Sequence, residues 1–323
     1  MPEPTLLPPT MRAVSQEAAG PPEVLQIVEV PRPEPGPGEI LVRVRAAGVN
    51  PADWKIRARG VFADGSPLPF RLGSDVAGVV EAVGAGVTLF RPGDEVFGMP
   101  RFPHQAGAYA EYVVAPARHF APSPRGLTPV EAGALPLAAL TAWQALVDTA
   151  DVQPGGRVLI HAAAGGVGHL AVQIAKARGA YVIGTASAGK HELVRSLGAD
   201  EVIDYRVQDV AGTVRDVDVV VDALGGASFA RSLRTLRPGG TLVGLLAPDD
   251  TSVAEAAEAA GVRAVFMLVE PDHAGLRGIA SLVEAGRLRV LVERVFPLEE
   301  VAKAHAYGET GRTTGKIVLT VTP

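Results

Sequence analysis

The junction between Arg157 and Gly179, where a strand runs through a glycine-rich turn into an amphipathic helix, constrains the fold of this chain more than any other feature. Arg157 to Ala163 (RVLIHAA) reads as a buried strand. Val167, Leu170, Ala171, Ile174 and Ala175 then recur at the three-to-four-residue spacing of one helix face. Lys176 and Arg178 fall in the last turn, where cations complement the negative end of the helix dipole, and Gly179 ends it. Glycines in such a turn let backbone N–H groups, here those of Ala164, Gly165, Gly166, Val167 and Gly168, approach a diphosphate without side chains in the way. The spacing is Ala163-x-Gly165-x-x-Gly168, with alanine in place of the first glycine of the usual dinucleotide fingerprint. Taken alone, the turn is therefore equally compatible with structural punctuation.

The sequence that follows favours the dinucleotide. Strand and helix signals alternate strictly: Tyr181 to Thr185, a helix ending at Leu197-Gly198, Glu201 to Asp204, Asp218 to Asp222, a helix carrying Phe229, Leu233 and Leu236, Thr241 to Leu246, and Val262 to Leu268. Such a run predicts an α/β fold with a parallel, doubly wound sheet and its ligand at the carboxyl ends of the strands. The end of the second strand selects between dinucleotides, because a carboxylate there grips the ribose 2′-hydroxyl of NAD. This chain instead reads Gly184-Thr-Ala-Ser-Ala-Gly-Lys190, with no acid. A hydroxyl at Ser187 and an ammonium at Lys190 suit a 2′-phosphate, since a unit charge pair about 4 Å apart at an effective dielectric near 20 is worth roughly 4 kcal/mol before screening. NADPH is the expected cofactor. The plainer alternative makes Ser187 a helix N-cap and leaves Lys190 solvated, and one serine can do both.

At 323 residues and 47% hydrophobic content, the chain is long enough for two cores. A net charge of −5 argues against a nucleic-acid partner, which calls for a basic stripe. No apolar run is long enough to span a bilayer and no signal-like segment opens the chain, which points away from a membrane and to a cytoplasmic protein. The absence of cysteine rules out disulfides, thiol catalysis and thiolate metal sites together.

Residues 1–10 are proline-rich and expected to be disordered. Short strands follow at Ile40 to Ala46, Val76 to Val83, Glu95 to Gly98 and Ala108 to Val114, separated by turns such as Pro35-Gly-Pro-Gly38 and Arg91-Pro-Gly-Asp94. Leu127 to Val147 reads as helical, with Thr128 capping before Pro129 and Glu131. A helix near Leu276 to Ala285 and a strand at Lys316 to Val321 end the chain. These signals divide it into a β-rich domain at 11–126 with a C-terminal return at 269–323, and a nucleotide domain at 127–268 inserted between them.

This order of parts resembles the medium-chain dehydrogenase/reductase superfamily, a GroES-like catalytic domain followed by a Rossmann domain, and within it the zinc-free quinone oxidoreductase branch. The residues that carry the resemblance are Ala47-Gly-Val-Asn-Pro-Ala-Asp-Trp-Lys55, Leu72-Gly-Ser-Asp-Val-Ala-Gly78, Arg91-Pro-Gly-Asp-Glu-Val96, Gly107-Ala-Tyr-Ala-Glu-Tyr-Val113, Leu140-Thr-Ala-Trp143, the turn at 162–168 and Leu197-Gly-Ala-Asp200. Zinc members of the superfamily carry a cysteine near Asn50 and Gly-His-Glu where this chain has Gly73-Ser74-Asp75. A catalytic zinc takes three Cys, His or carboxylate ligands plus water, and no such set remains. Alcohol oxidation, which needs a Lewis acid to lower the alcohol's pKa, is correspondingly disfavoured.

The resemblance implies roles for particular residues. Asn50 lies beside the nicotinamide and its ribose, and Thr141 approaches the same end of the cofactor. Ser187, Lys190 and Tyr205 resemble the 2′-phosphate pocket of NADPH-preferring quinone reductases. Leu224, Gly244 and Leu245 stand at the ends of later strands beside the nicotinamide half, and Phe266 and Leu268 lie in the segment that covers it. Each has a plainer alternative: Asn50 before Pro51 starts a turn, Thr141 caps a helix, Phe266 and Leu268 fill a sheet core, and Trp54 and Trp143 are packing residues. The Asn-Pro-x-Asp-Trp-Lys segment departs from crystallin-like quinone reductases toward alkenal and enone reductases, so the acceptor is a quinone or an α,β-unsaturated carbonyl. The reduced acceptor then needs a proton, from Lys55, Tyr109 or solvent, while pairing of Lys55 with Asp53 or the ribose stays open. The function expected is an NADPH-dependent, zinc-independent reductase, and the alternative is a non-catalytic NADPH-binding sensor or scaffold. The resemblance also implies a homodimer joined along Val262 to Leu268.

Overall fold

The structure, a computed structural model, describes residues 8–62, 65–246 and 252–322. It divides into two compact units, one of residues 1–137, 270–277 and 292–323 and the other of 138–269 and 278–291. The mixed α/β architecture expected from the sequence is present, with a GroES-like β domain and a Rossmann sheet. Of the ten residues expected to be disordered, 1–7 lie outside the described residues, and Thr10 already opens the first strand.

In the first unit, β1 (Thr10–Gln16) and β2 (Leu25–Pro31) form an antiparallel ribbon. β3 (Glu39–Val49) is the long central strand of a second sheet, joined by β4 (Val76–Val83), β5 (Glu95–Gly98), β6 (Tyr112–Pro116) and β7 (Phe120–Pro122). The strand expected at 108–114 begins four residues late. Tyr109 and Ala110 pair with β1 instead: Val14 N–H donates to Tyr109 O at 2.8 Å, and Ala13 bridges Ala110. Ile40, Val42, Val44, Val76, Val96 and Phe120 alternate inward from these strands and fill the core.

The second unit holds six parallel strands: β8 (Arg157–Ile160), β9 (Tyr181–Thr185), β10 (Glu201–Ile203), β11 (Val217–Asp222), β12 (Leu236–Gly244) and β13 (Arg263–Phe266). Their order is β10-β9-β8-β11-β12-β13, the doubly wound arrangement whose direction reverses between β8 and β11 and opens a ligand crevice there. Leu236, expected on a helix, opens β12, because the helix ends at Leu233 once Ser232 and Thr235 close its last turn. The helical stretch expected over 127–147 is three pieces, Pro129–Gly133, Pro136–Trp143 and a π-helical turn at Gln144–Thr149, since Pro136 has no N–H to continue the first. Thr128 and Glu131 form the expected capping box.

The chain then returns to the first unit. β15 (Lys316–Thr320) pairs antiparallel with β3, while β14 (Val292–Pro297) runs parallel to β15. The helix Val301–Glu309 packs its buried Val301 and Ala304 into the first core.

Candidate active site

In the second unit, β8 ends at Ile160 and the chain turns through Ala162, whose φ of +50° is a left-handed conformation that alanine rarely adopts. The strained position is thus one residue ahead of the fingerprint's first place, which explains why Ala163 is tolerated there. Gly168, by contrast, is required, because a Cβ on it would lie 2.2 Å from the Ala162 carbonyl oxygen. The helix Gly168–Ala177 follows, its early N–H groups bonded back to the turn: His169 N–H donates to Gly165 O at 3.1 Å and Ala171 N–H to Val167 O at 2.9 Å. Beside this turn, a cavity of about 300 Å³ is lined by His161, Thr185, Tyr205 and Leu224, from the ends of β8, β9, β10 and β11, and by Arg231. Of the expected cofactor residues, Tyr205 and Leu224 line it, whereas residues 164–168, Ser187 and Lys190 do not, and Asp209 adds a carboxylate to its wall.

The cavity wall is held by a buried polar chain. Ser232 Oγ donates to Asp222 Oδ2 at 2.7 Å and lies 3.0 Å from His161 Nε2. Burial lowers the His161 pKa, opposed by the Asp222 charge and aided to a lesser degree by Arg231. Asp222 also accepts the Leu224 and Gly225 N–H groups, which fixes the loop after β11. Ser187 occupies an N-cap position, yet its side chain makes no cap hydrogen bond. The carboxylate nearest this loop, Asp204, is already engaged: Oδ2 accepts from Ala188 N–H at 3.0 Å and Oδ1 from Arg206 N–H at 2.9 Å. Tyr205 is exposed, with Arg206 lying over its ring. Among the other candidates, Ala164 and Thr141 are buried, Leu224 and Leu268 are exposed, and Leu245 is half-buried. Gly244 makes room for Phe266, whose ring edge packs on Phe229 at 5.1 Å in the sheet core.

In the first unit a second polar cluster surrounds Asn50, which caps the helix Pro51–Arg59 through its backbone while its side chain turns elsewhere. Asn50 Nδ2 donates to Asp75 Oδ2 at 2.8 Å, and Lys316 Nζ donates to Asn50 Oδ1. Asp75 Oδ1 accepts from Leu137 N–H at 2.6 Å. Asp53 Oδ2 accepts the Asn50 N–H at 2.8 Å and the Tyr109 O–H at 2.9 Å. Asn50, Asp53, Asp75, Tyr109 and Lys316 are all at most 3% exposed, far below what charged residues normally tolerate. Burial pushes Asp53 up to about 6, only partly offset by its two donors. Burial and then the Asp53 charge hold the Tyr109 hydroxyl well above its usual value. Tyr109 thus keeps its proton and donates it in a hydrogen bond to Asp53, with its hydroxyl fully buried. Lys55, on the same helix, is exposed and forms no ion pair with Asp53. Trp54 packs on Gly308 and His305, as a packing residue would.

The sequence reading missed Asp75, Lys316, His161 and Arg231. For Lys316 the available signal was its place in the apolar strand KIVLT, where alternation alone puts it on a sheet face. The residues at the positions where zinc relatives carry ligands do not fit a zinc ion. They supply a carboxamide at Asn50, a hydroxyl at Ser74 and a carboxylate at Asp75, with the Lys316 ammonium directed at two of the three. Among the described residues no group of three His, Cys, Asp or Glu side chains is placed to hold a metal, and no helix is long and apolar enough to cross a membrane.

Comparison with known proteins agrees with this arrangement. The alcohol dehydrogenase GroES-like domain family matches residues 36–125, and the zinc-binding dehydrogenase family matches residues 197–319. The mouse mitochondrial NAD(P)H oxidoreductase RTN4IP1 is 36% identical over 88% of this chain and 82% of its own length. The quinone oxidoreductase of Coxiella burnetii superposes with a TM-score of 0.91 at 37% identity, covering 97% of this chain and all of the other. A mycobacterial protein, Rv1454c, whose structure is complexed with NADPH, gives 0.84 at 34% identity over 96% of this chain and 99% of the other. The cytoplasmic location expected from the sequence is corrected by such relatives: the mouse and human proteins and a fungal oxidoreductase are all named as mitochondrial.

Proposed function

The chain belongs to the quinone oxidoreductase branch of the medium-chain dehydrogenase/reductase superfamily and is an oxidoreductase, and from that membership we propose an NADPH-dependent, zinc-independent reductase of quinones or α,β-unsaturated carbonyls. The observation that carries NADPH is the loop after β9. It carries Ser187, whose side chain makes no cap hydrogen bond, and Lys190 three residues on, and Asp204, which accepts from Ala188 N–H in that loop, is spent on two backbone N–H groups. An acid so engaged is a poor grip for a ribose 2′-hydroxyl, whereas the hydroxyl and the ammonium suit a 2′-phosphate.

When bound, the reduced nicotinamide supplies a hydride. The backbone N–H groups of Ala164, Gly166, Val167 and Gly168 would hold the diphosphate at the helix N-terminus, while the Gly165 N–H closes the turn onto Ala162 O at 2.8 Å and would position its neighbours. Asn50, Thr141, Leu224, Gly244, Leu245, Phe266 and Leu268 are proposed for the reacting end. Reduction of a conjugated acceptor needs no Lewis acid, because its own carbonyl activates the carbon that is attacked. One proton must then be delivered, and with the Tyr109 hydroxyl buried and hydrogen-bonded to Asp53, the donor is the exposed Lys55 ammonium or water.

The test is NADPH oxidation against a panel of quinones, alkenals and enones, with Lys190→Ala alongside. Losing a charge-assisted contact to phosphate should cost about 1.5 to 3 kcal/mol in NADPH binding and leave NADH binding nearly unchanged. Equal losses for the two cofactors would refute the 2′-phosphate assignment. Tight NADPH binding with no oxidation across the whole panel would identify a binding protein instead.

A further inference from the structure

Asn50 is the only asparagine in the chain, and it stands at the end of the central strand between two charges contributed by the strands on either side. From β15, Lys316 lies one residue beyond the Ile317–Val49 pair and reaches Asn50 Oδ1. On the other flank, Asp75 immediately precedes β4 and accepts from Asn50 Nδ2. Gly48 makes the approach possible, because a Cβ there would lie 2.4 Å from Asp75 Oδ2. The ammonium is also 3.5 Å from Asp75 Oδ2 and 3.4 Å from Val49 O, so its donors are spent inside the cluster.

A primary amide has two ends of nearly equal shape, and only its partners decide which way it faces. Here a flip would set the NH₂ group against an ammonium and the carbonyl oxygen against a carboxylate, donor to donor and acceptor to acceptor. We propose that Lys316 is a positioning residue: with Asp75 it locks the buried Asn50 carboxamide in one orientation, Nδ2 on the carboxylate and Oδ1 on the ammonium. The ammonium thus takes the place of a metal as the cation of this cluster, and its task is orientation. The functional part rests on the assignment of Asn50 to the reacting end.

Asparagine-selective ¹⁵N labelling gives a single side-chain NH₂ pair in the spectrum, which reads the amide directly in the cofactor-free protein. In the wild type the proton held by Asp75 should exchange slowly and resonate apart from its partner. Lys316→Met should speed that exchange at least tenfold, and Lys316→Arg should restore most of the protection. Because Lys316→Met leaves Asp75 without its counter-charge, Asp75→Asn/Lys316→Met is the charge-balanced companion. The double variant should regain thermal stability without regaining turnover, which stays at least 30-fold below wild type.

An unchanged NH₂ pair in folded Lys316→Met overturns the proposal, as does a double variant that recovers turnover along with stability, since Lys316 would then only neutralise Asp75. If the amide signals move while Asn50→Ala keeps full turnover, the orientation stands and the assignment of Asn50 to the reacting end falls.

Discussion

His305→Asn removes one titrating group from the core of the first unit. The imidazole is fully buried, with ring edges against Trp54 and Tyr109, and Arg57 Nη1 donates to its Nδ1 at 3.1 Å. A ring that accepts at Nδ1 is neutral and carries its proton on Nε2, an atom with no hydrogen-bond partner. Burial first, and the Arg57 charge second, lower the His305 pKa from 6.5 to about 3. Between those values the unfolded chain binds a proton that the folded chain refuses, so stability rises with pH through that window and is lost as pH falls through it. Taking 6.5 and about 3 as the two pKa values, the linkage integral from pH 7 to pH 5 is about 2 kcal/mol. Asp53 acts in the opposite sense. Its pKa, raised from 3.8 to about 6, makes burial of its charge unfavourable above that value and relieves the penalty as pH falls. Asp53 is common to wild type and variant and cancels in the comparison. The introduced carboxamide keeps an acceptor for Arg57 but loses ring packing, so the variant should be less stable at every pH. The informative quantity is the slope: urea unfolding at pH 7 and pH 5 should show wild type losing about 2 kcal/mol more than His305→Asn. Equal losses would refute a neutral buried imidazole.

Three further outcomes are expected. Gly168→Ala should destabilise the protein by about 1 to 3 kcal/mol or more, because its Cβ meets the Ala162 carbonyl oxygen at 2.2 Å, and it should weaken NADPH binding; a native melting temperature would show that the turn yields easily. Lys55→Met should lower turnover with an enone about 100-fold at unchanged NADPH affinity if the ammonium is the proton donor, and unchanged turnover would identify water as the acid. Light scattering at micromolar concentration should return a dimer, because β13 is the terminal strand of its sheet and leaves an open edge that a second copy can extend; a monomer would exclude that pairing.

The Rossmann sheet was legible because its signal is local. Each strand and helix carries its own period, and glycines mark the junctions, so β9 was placed to the residue. The Asn50 cluster was only half legible. Asn50 stood out through its motif, but the partners that define its chemistry come from Asp75 and Lys316, and a buried lysine runs against the usual preference of that residue for solvent. Tyr109 was read as a candidate donor because its chemistry is visible in the sequence, whereas the Asp53 oxygen that accepts its hydrogen bond lies 56 residues away. The wall of the cavity beside β8 was hidden for the same reason, with Ser232 lying 71 residues from the His161 ring it meets.

The strand that completes the β3 sheet edge has a consequence for how the chain is made. Lys316 is 266 residues downstream of Asn50, and the whole second unit is encoded between them. At about 5 to 20 residues per second, a ribosome needs roughly 10 to 50 s to travel from one to the other. Through that interval β3 has its β4 neighbour but no β15, and the Asn50 amide has its carboxylate but no ammonium. The second unit can close around its own sheet while the first, begun earlier, still waits with one edge of β3 unpaired. A nascent chain stalled in this interval would present that unpaired edge to other chains, which makes the order of synthesis, as much as final stability, a determinant of how much protein reaches its folded form.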